Sequence, residues 1–217
     1  MERIRDYFDE VSAALSALSL AEIRQAVSLL TDAYLQRRQV FIMGNGGSAA
    51  TASHFACDLA KSTAGVDGQG LKVISLTDNA PMITAWANDT DYSNIFAAQL
   101  SSLVEERDLV IAISGSGNSG NVLNGVRLAR RYGAITLGLT GFDGGQLKDL
   151  VDLCLIVPSN RMTLIEDVHL ILEHTMSSRL GEVALENGFS RPRRSYQRKS
   201  SRPRKELERV PLSSWGS

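Results

Sequence analysis

Leu109-Val110-Ile111-Ala112-Ile113-Ser114-Gly115-Ser116-Gly117-Asn118-Ser119 starts as an apolar run and ends in small hydroxyl residues and glycines. The run reads as a buried strand entering a tight turn. Val122, Leu123, Val126 and Ala129 follow at helical spacing, so the turn opens onto a helix N-terminus. Unpaired backbone N–H groups and serine hydroxyls then face one point at the positive end of a helix dipole. That arrangement suits an anion, phosphate above all. A well-capped βα turn without a ligand has the same local pattern, so the site has to be argued from more than this stretch.

On either side of it, the chain from Gln39 repeats the strand–turn–helix rhythm. Val40–Met43, Lys72–Leu76, Leu109–Ser114, Ala134–Leu139 and Leu153–Val157 are the expected strands. Helices are expected near Ser48–Lys61, Ala80–Ala87, Ser119–Arg131 and Gly144–Leu150, with a last long helix from about Leu164 to Glu186. Short, continuously apolar strands alternating with helices predict an α/β fold with a parallel sheet covered on both faces. The first strand ends in Gly44-Asn45-Gly46-Gly47-Ser48, again entering a helix. Two anion-type turns at one sheet edge carry more than either alone. Neither has the Walker A lysine or the GxGxxG spacing, which argues against a nucleotide loop.

Before the α/β region, Ile4, Tyr7, Phe8, Val11, Leu15 and Leu18 share one helical face. Ser19-Leu20-Ala21-Glu22 has the form of a capping box and starts a second helix. The division expected is a helical hairpin over 1–38, used in oligomerisation, an α/β domain over 39–189, and a basic extension over 190–217. That last stretch holds nine Arg or Lys against two Glu, and three of the five prolines. It reads as a disordered, solvated tail, in preference to a contact with nucleic acid or an acidic partner. The net charge of −1 hides this asymmetry. Cys57 and Cys154 form no CxxC pattern, and no apolar run is long enough to span a membrane, so a cytoplasmic protein is expected.

Candidate chemistry sits on two helices. His54 and Asp58 lie four residues apart, on one helical face, where they can share a metal ion or act as an acid/base pair. The last helix carries Glu166, Asp167, His169, Glu173 and His174. On spacing alone His169 and Glu173 read as a solvated i,i+4 pair, and Thr163…Glu166 as a helix cap. Glu166 and His174 are about 12 Å apart along a helix axis and meet one ligand only by leaning together. Asn88-Asp89 closes a short helix, where such residues commonly serve local hydrogen bonds.

Taken together, Gly44-Asn45-Gly46-Gly47-Ser48-Ala49, Ala87-Asn88-Asp89, Ser114–Ser119, Leu139-Thr140-Gly141-Phe142-Asp143-Gly144-Gly145 and Ile165-Glu166-Asp167-Val168-His169 with His174 resemble the sugar isomerase (SIS) domain family, in particular its phosphoheptose isomerases. The resemblance runs from the N-terminal hairpin to about Phe189. It implies a five-stranded parallel sheet in flavodoxin-like order and a homotetramer built through the N-terminal helices. It implies that Ser114, Gly115, Ser116 and Ser119 hold a phosphate and that Asn45, Gly46 and Gly47 line the substrate site. Asn88, Asp89 and Glu166 then contact the sugar. His54, Asp58, Glu166 and His174 match the zinc-ligand and acid/base positions, with Asp58 as base and His174 as acid. Asp58 stands where the family has Glu, and Glu166 where it has Gln. The implied activity is aldose–ketose isomerisation of D-sedoheptulose 7-phosphate through an enediol, feeding heptose biosynthesis. The alternatives are another sugar phosphate, or a non-catalytic phosphosugar-binding regulatory protein.

Overall fold

The computed structural model describes residues 2–64 and 70–186. The expected basic extension at 190–217 lies outside the described residues. Helices α1 (Glu2–Ser16) and α2 (Leu20–Leu35) precede an alternating series. In chain order this comprises β1 (Gln39–Gly44), α3 (Gly47–Ser62), β2 (Lys72–Ser75), α4 (Ala80–Asp89), α5 (Ile95–Ser101), β3 (Leu109–Ile113), α6 (Gly120–Arg131), β4 (Ile135–Thr140), β5 (Leu153–Ile156) and α7 (Met162–Glu186). The strands form one five-stranded, all-parallel sheet in the order β2-β1-β3-β4-β5.

The two-residue period of the strands sorts side chains into two cores. Val40 and Ile42 of β1 and Leu109, Ile111 and Ile113 of β3 face one way, against α2, α3 and α7. Phe41, Met43, Val110 and Ala112 face the other way, against α5 and α6. Both faces of the central strands β1 and β3 are therefore dry, which is why they read as unbroken apolar runs, whereas edge strand β2 leaves Ile74 exposed. A sheet in this order reverses its winding between β1 and β3, and ligands of such sheets bind beyond the strand ends at that point. Gly44 pairs with Ile113 across it, so the two glycine- and serine-rich turns leave the sheet side by side.

The N-terminal hairpin packs on the sheet through Ala14, Ala26, Leu30 and Ala33. Ser19 Oγ accepts a hydrogen bond from Glu22 N at 3.3 Å, as the capping box predicts. Tyr7 Oη donates to Asp167 Oδ2 at 2.5 Å, and Arg161 pairs with Glu10, which fastens α1 to the start of α7. Ile4, Phe8, Leu20 and Leu35 remain exposed on the hairpin. Among the described residues no single helix is long and apolar enough to cross a membrane.

Two local expectations fail. The segment Gly144–Leu150, expected as a helix, is a series of turns, because Gly144 and Gly145 both take positive φ (88° and 54°) and break the right-handed path. Helix α5, preceded by a 3-10 turn at Tyr92–Asn94, is absent from the expected elements. Its seven residues bury Ile95, Phe96, Gln99 and Leu100, too short a stretch for helical period to stand out from a loop.

Candidate active site

The two turns at the switch point start helices whose N-cap residues supply no side-chain cap, although within α6 Val122 N donates to Asn121 Oδ1 at 2.9 Å. Gly46 precedes α3 with φ 56° and supplies no capping atom. Ser119 precedes α6 and also leaves it uncapped. Its hydroxyl lies 3.1 Å from that of Ser114 instead. The free donors of both helices and the Ser114 and Ser119 hydroxyls thus face the same crevice, an anion-suited edge. Ser114 itself is buried, and its N–H donates to Leu139 O at 3.0 Å.

The loop after β4 braces the serine turn. Gly141 N donates to Gly115 O, Leu147 N to Gly117 O, and Gln146 N to Asn118 Oδ1, at 2.9, 3.0 and 3.1 Å. The turn at Gly144–Gly145 takes the place of the expected helix here, and it fits closely: a Cβ at Gly145 would fall 2.5 Å from Ser116 O. Asn45 and Asn121 join the two exits directly, each amide donating to the other's oxygen at 2.8 Å. Tyr92 Oη donates to Asn45 Oδ1 at 3.1 Å. Asn121 and Tyr92 are site residues that sequence reasoning misses. Asn121 follows the serine motif by two positions, which is a usable signal, whereas Tyr92 carries none. Asn88 and Asp89 end α4 exposed and bond to each other at 2.9 Å, so Tyr92 makes the contact from this segment to the β1 exit.

A second cluster lies farther along α3 and α7. His54 Nε2 is 3.8 Å from Asp58 Oδ2, which is 3.9 Å from His174 Nε2. The two imidazole rings meet edge to face with centroids 4.9 Å apart. Glu173 Oε2 lies 3.4 Å from His174 Nε2. One ligand atom from each of His54, Asp58, Glu173 and His174 falls within 4.8 Å of the others. Glu166, expected in this set, stands apart from it and packs over Gly47, where a Cβ would overlap its carboxylate. The reason is helix geometry: residue 166 lies eight residues before His174, while Glu173 is its neighbour.

Glu173 and His169 are also not the solvated pair that spacing allows. Both are buried, Glu173 completely. His169 Nε2 lies 3.1 Å from Thr140 O and donates to it, and Nδ1 is buried without a partner. Burial holds its pKa down to about 4, only partly offset by the Thr140 carbonyl. Neither carboxylate oxygen of Glu173 has a hydrogen-bond partner. Burial, with the Asp58 charge adding, pushes its pKa up to about 7.

These residues fit a divalent cation. Two imidazoles and two carboxylates are a common donor set for zinc, whose ligands at about 2.0–2.1 Å stand about 3.4 Å apart in a tetrahedron. The contacts of 3.4, 3.8 and 3.9 Å are close to that spacing. A buried carboxylate with no donor is what a cation would satisfy.

Fold and site together define a flavodoxin-like α/β protein with an anion-suited switch point and a histidine–carboxylate cluster. A SIS domain model matches residues 6–141. The chain is 40% identical to the phosphoheptose isomerase of Aliarcobacter butzleri over 71% of its own length and 81% of that protein. It is 39% identical to that of Geobacter sulfurreducens over 76% and 87%. The solved phosphoheptose isomerase of Neisseria gonorrhoeae superposes with a TM-score of 0.77 at 30% identity, covering 83% of this chain and 98% of that one. The chain belongs to the SIS domain family, in its phosphoheptose isomerase branch.

Proposed function

We propose that the protein is an aldose–ketose isomerase of phosphosugars that acts on D-sedoheptulose 7-phosphate and yields D-glycero-D-manno-heptose 7-phosphate. The observation that carries this is the gathering of His54, Asp58 and His174 along two helices whose first turns flank the serine- and glycine-lined crevice. His54 is seven residues, about 10 Å, down α3 from Gly47. An open-chain sugar of several carbons bridges that distance, whereas a triose does not.

In this reading the phosphate is held by Ser114, Gly115, Ser116 and Ser119 and the uncapped helix starts. Asn45, Gly46, Gly47, Asn88, Asp89 and Glu166 line the sugar's path. Asp58 removes the C1 proton of the ketose, and His174 donates a proton to the C2 carbonyl oxygen, giving an enediol. Return of the carbon proton to C2, with loss of the C1 hydroxyl proton, gives the aldose. No atom is gained or lost. His54, Asp58 and His174 would hold a zinc ion, which supplies Lewis-acid stabilisation of developing negative charge on oxygen. Association into a homotetramer is supported by the exposed apolar side chains of the hairpin, Ile4 and Phe8 one turn apart on α1 and Leu20 and Leu35 at the two ends of α2, which another copy would cover. The activity belongs with heptose precursor synthesis in the cytoplasm.

The test is conversion of sedoheptulose 7-phosphate by the purified protein, with and without chelator, alongside bound-metal analysis. Turnover that chelation abolishes and zinc restores is expected. Tight phosphosugar binding without turnover would transfer the protein to the regulatory class.

A further inference from the structure

Resting on the isomerase reading, we propose that Glu173, rather than Glu166, completes the cation site with His54, Asp58 and His174. Glu173 is wholly removed from solvent, and neither of its carboxylate oxygens has a donor. A carboxylate so placed is costly unless a positive charge faces it. Among the described residues no Lys or Arg forms a salt bridge with it; its one charge partner is His174, with Nε2 at 3.4 Å from Oε2. Asp58 lies across the same cluster, within 4.8 Å between ligand atoms. A second carboxylate raises the cost of the first, and a divalent cation between them offsets both. The two imidazoles complete four donors around one point, drawn from one turn of α3 and two adjacent positions of α7. Glu166 lies outside this group of four, its carboxylate over Gly47 at the start of α3.

The test uses the full chain, stripped of metal and titrated with Zn(II) or Co(II). Stoichiometry, Kd and the Co(II) absorption spectrum are compared for wild type, Glu173→Gln and Glu166→Gln. Glu173→Gln is expected to weaken binding at least about tenfold and to change the Co(II) spectrum, with Glu166→Gln close to wild type. Wild-type affinity and spectrum in Glu173→Gln would overturn the proposal, as would loss of the cation in Glu166→Gln or a wild type that binds none. Glu173→Leu supplies a readout that does not depend on affinity. Its metal-free form should melt at or above metal-free wild type, because the buried carboxyl is gone, and zinc should add little. A Glu173→Leu protein that keeps the full zinc-dependent rise in Tm would also overturn the proposal. The two readings fail separately. A wild type that binds the cation through Glu173 without turning over sedoheptulose 7-phosphate sinks only the isomerase assignment. An active enzyme whose cation affinity ignores Glu173 sinks only the assignment of Glu173.

Discussion

Glu166 rests its carboxylate on the Cα of Gly47, so close that a Cβ there would overlap Oε1. The contact joins the start of α7 to the start of α3 and leaves no room for a side chain at position 47 while Glu166 keeps its place. Gly47→Ala should therefore destabilise the protein only modestly, by less than about 1 kcal/mol, since the carboxylate can shift. Because the obstruction is the tip of one side chain, Glu166→Ala in the same chain should recover much of the loss. Urea unfolding of the two single variants and the double variant measures this. Strict additivity would show that the contact does not limit position 47.

Gly117 faces a stricter limit. Its φ is 65°, and a Cβ would overlap the backbone oxygen of Gly144. Backbone cannot swing aside as a side chain can, and the left-handed conformation alone costs a non-glycine residue about 1–2 kcal/mol. Gly117→Ala should lower Tm by several degrees. It should also raise KM for the phosphosugar about tenfold or more, because displacing Ser116 and Ser119 loses hydrogen bonds to a charged group. An unchanged KM would remove the serine turn from the phosphate site.

His174→Gln nearly keeps the volume of the side chain at an exposed position and removes its proton chemistry. Turnover should fall by about 10²–10⁴ with the circular dichroism spectrum unchanged. Phosphosugar binding should persist, since the serine turn is untouched. Wild-type turnover in this variant would place the acid elsewhere.

The buried His169 makes the fold sensitive to acid. Its pKa is near 4 in the native protein against 6.5 when unfolded, so the unfolded chain takes up a proton that the native state refuses. This contribution to stability is complete above pH 6.5 and is lost as pH falls toward 4, by about 3 kcal/mol in all. Glu173 acts in the opposite sense. With its pKa raised from 4.5 to about 7, it favours the metal-free native state in acid and loses that contribution as pH rises through 7. The difference between wild type and His169→Gln isolates the histidine. Unfolding free energies at about pH 7 and about pH 4.5 should show a smaller acid loss in His169→Gln, and equal losses would contradict the assignment.

Much of the architecture is legible in the chain. The apolar runs at Val40–Met43 and Leu109–Ile113 announce strands buried on both faces, and the glycine and serine residues after them announce turns opening onto helices. The residues of those turns are legible too, because backbone freedom and hydroxyl donors are properties of residue type. The short α5 is not, since seven residues give too little periodicity. The segment 144–150 reads as helical because a side-chain pattern does not register two successive positive φ angles.

Residue order along the chain was enough to specify the alternating α/β pattern, the two anion-suited turns and the presence of histidines and acids on two helices. Which acid joins which histidine came from the packing of those helices. Glu166 and Glu173 are the same residue type on the same helix, but the approach of α7 to α3 sends one to Gly47 and buries the other beside His174. Burial and proximity arise between segments far apart in the chain, and local spacing does not encode them.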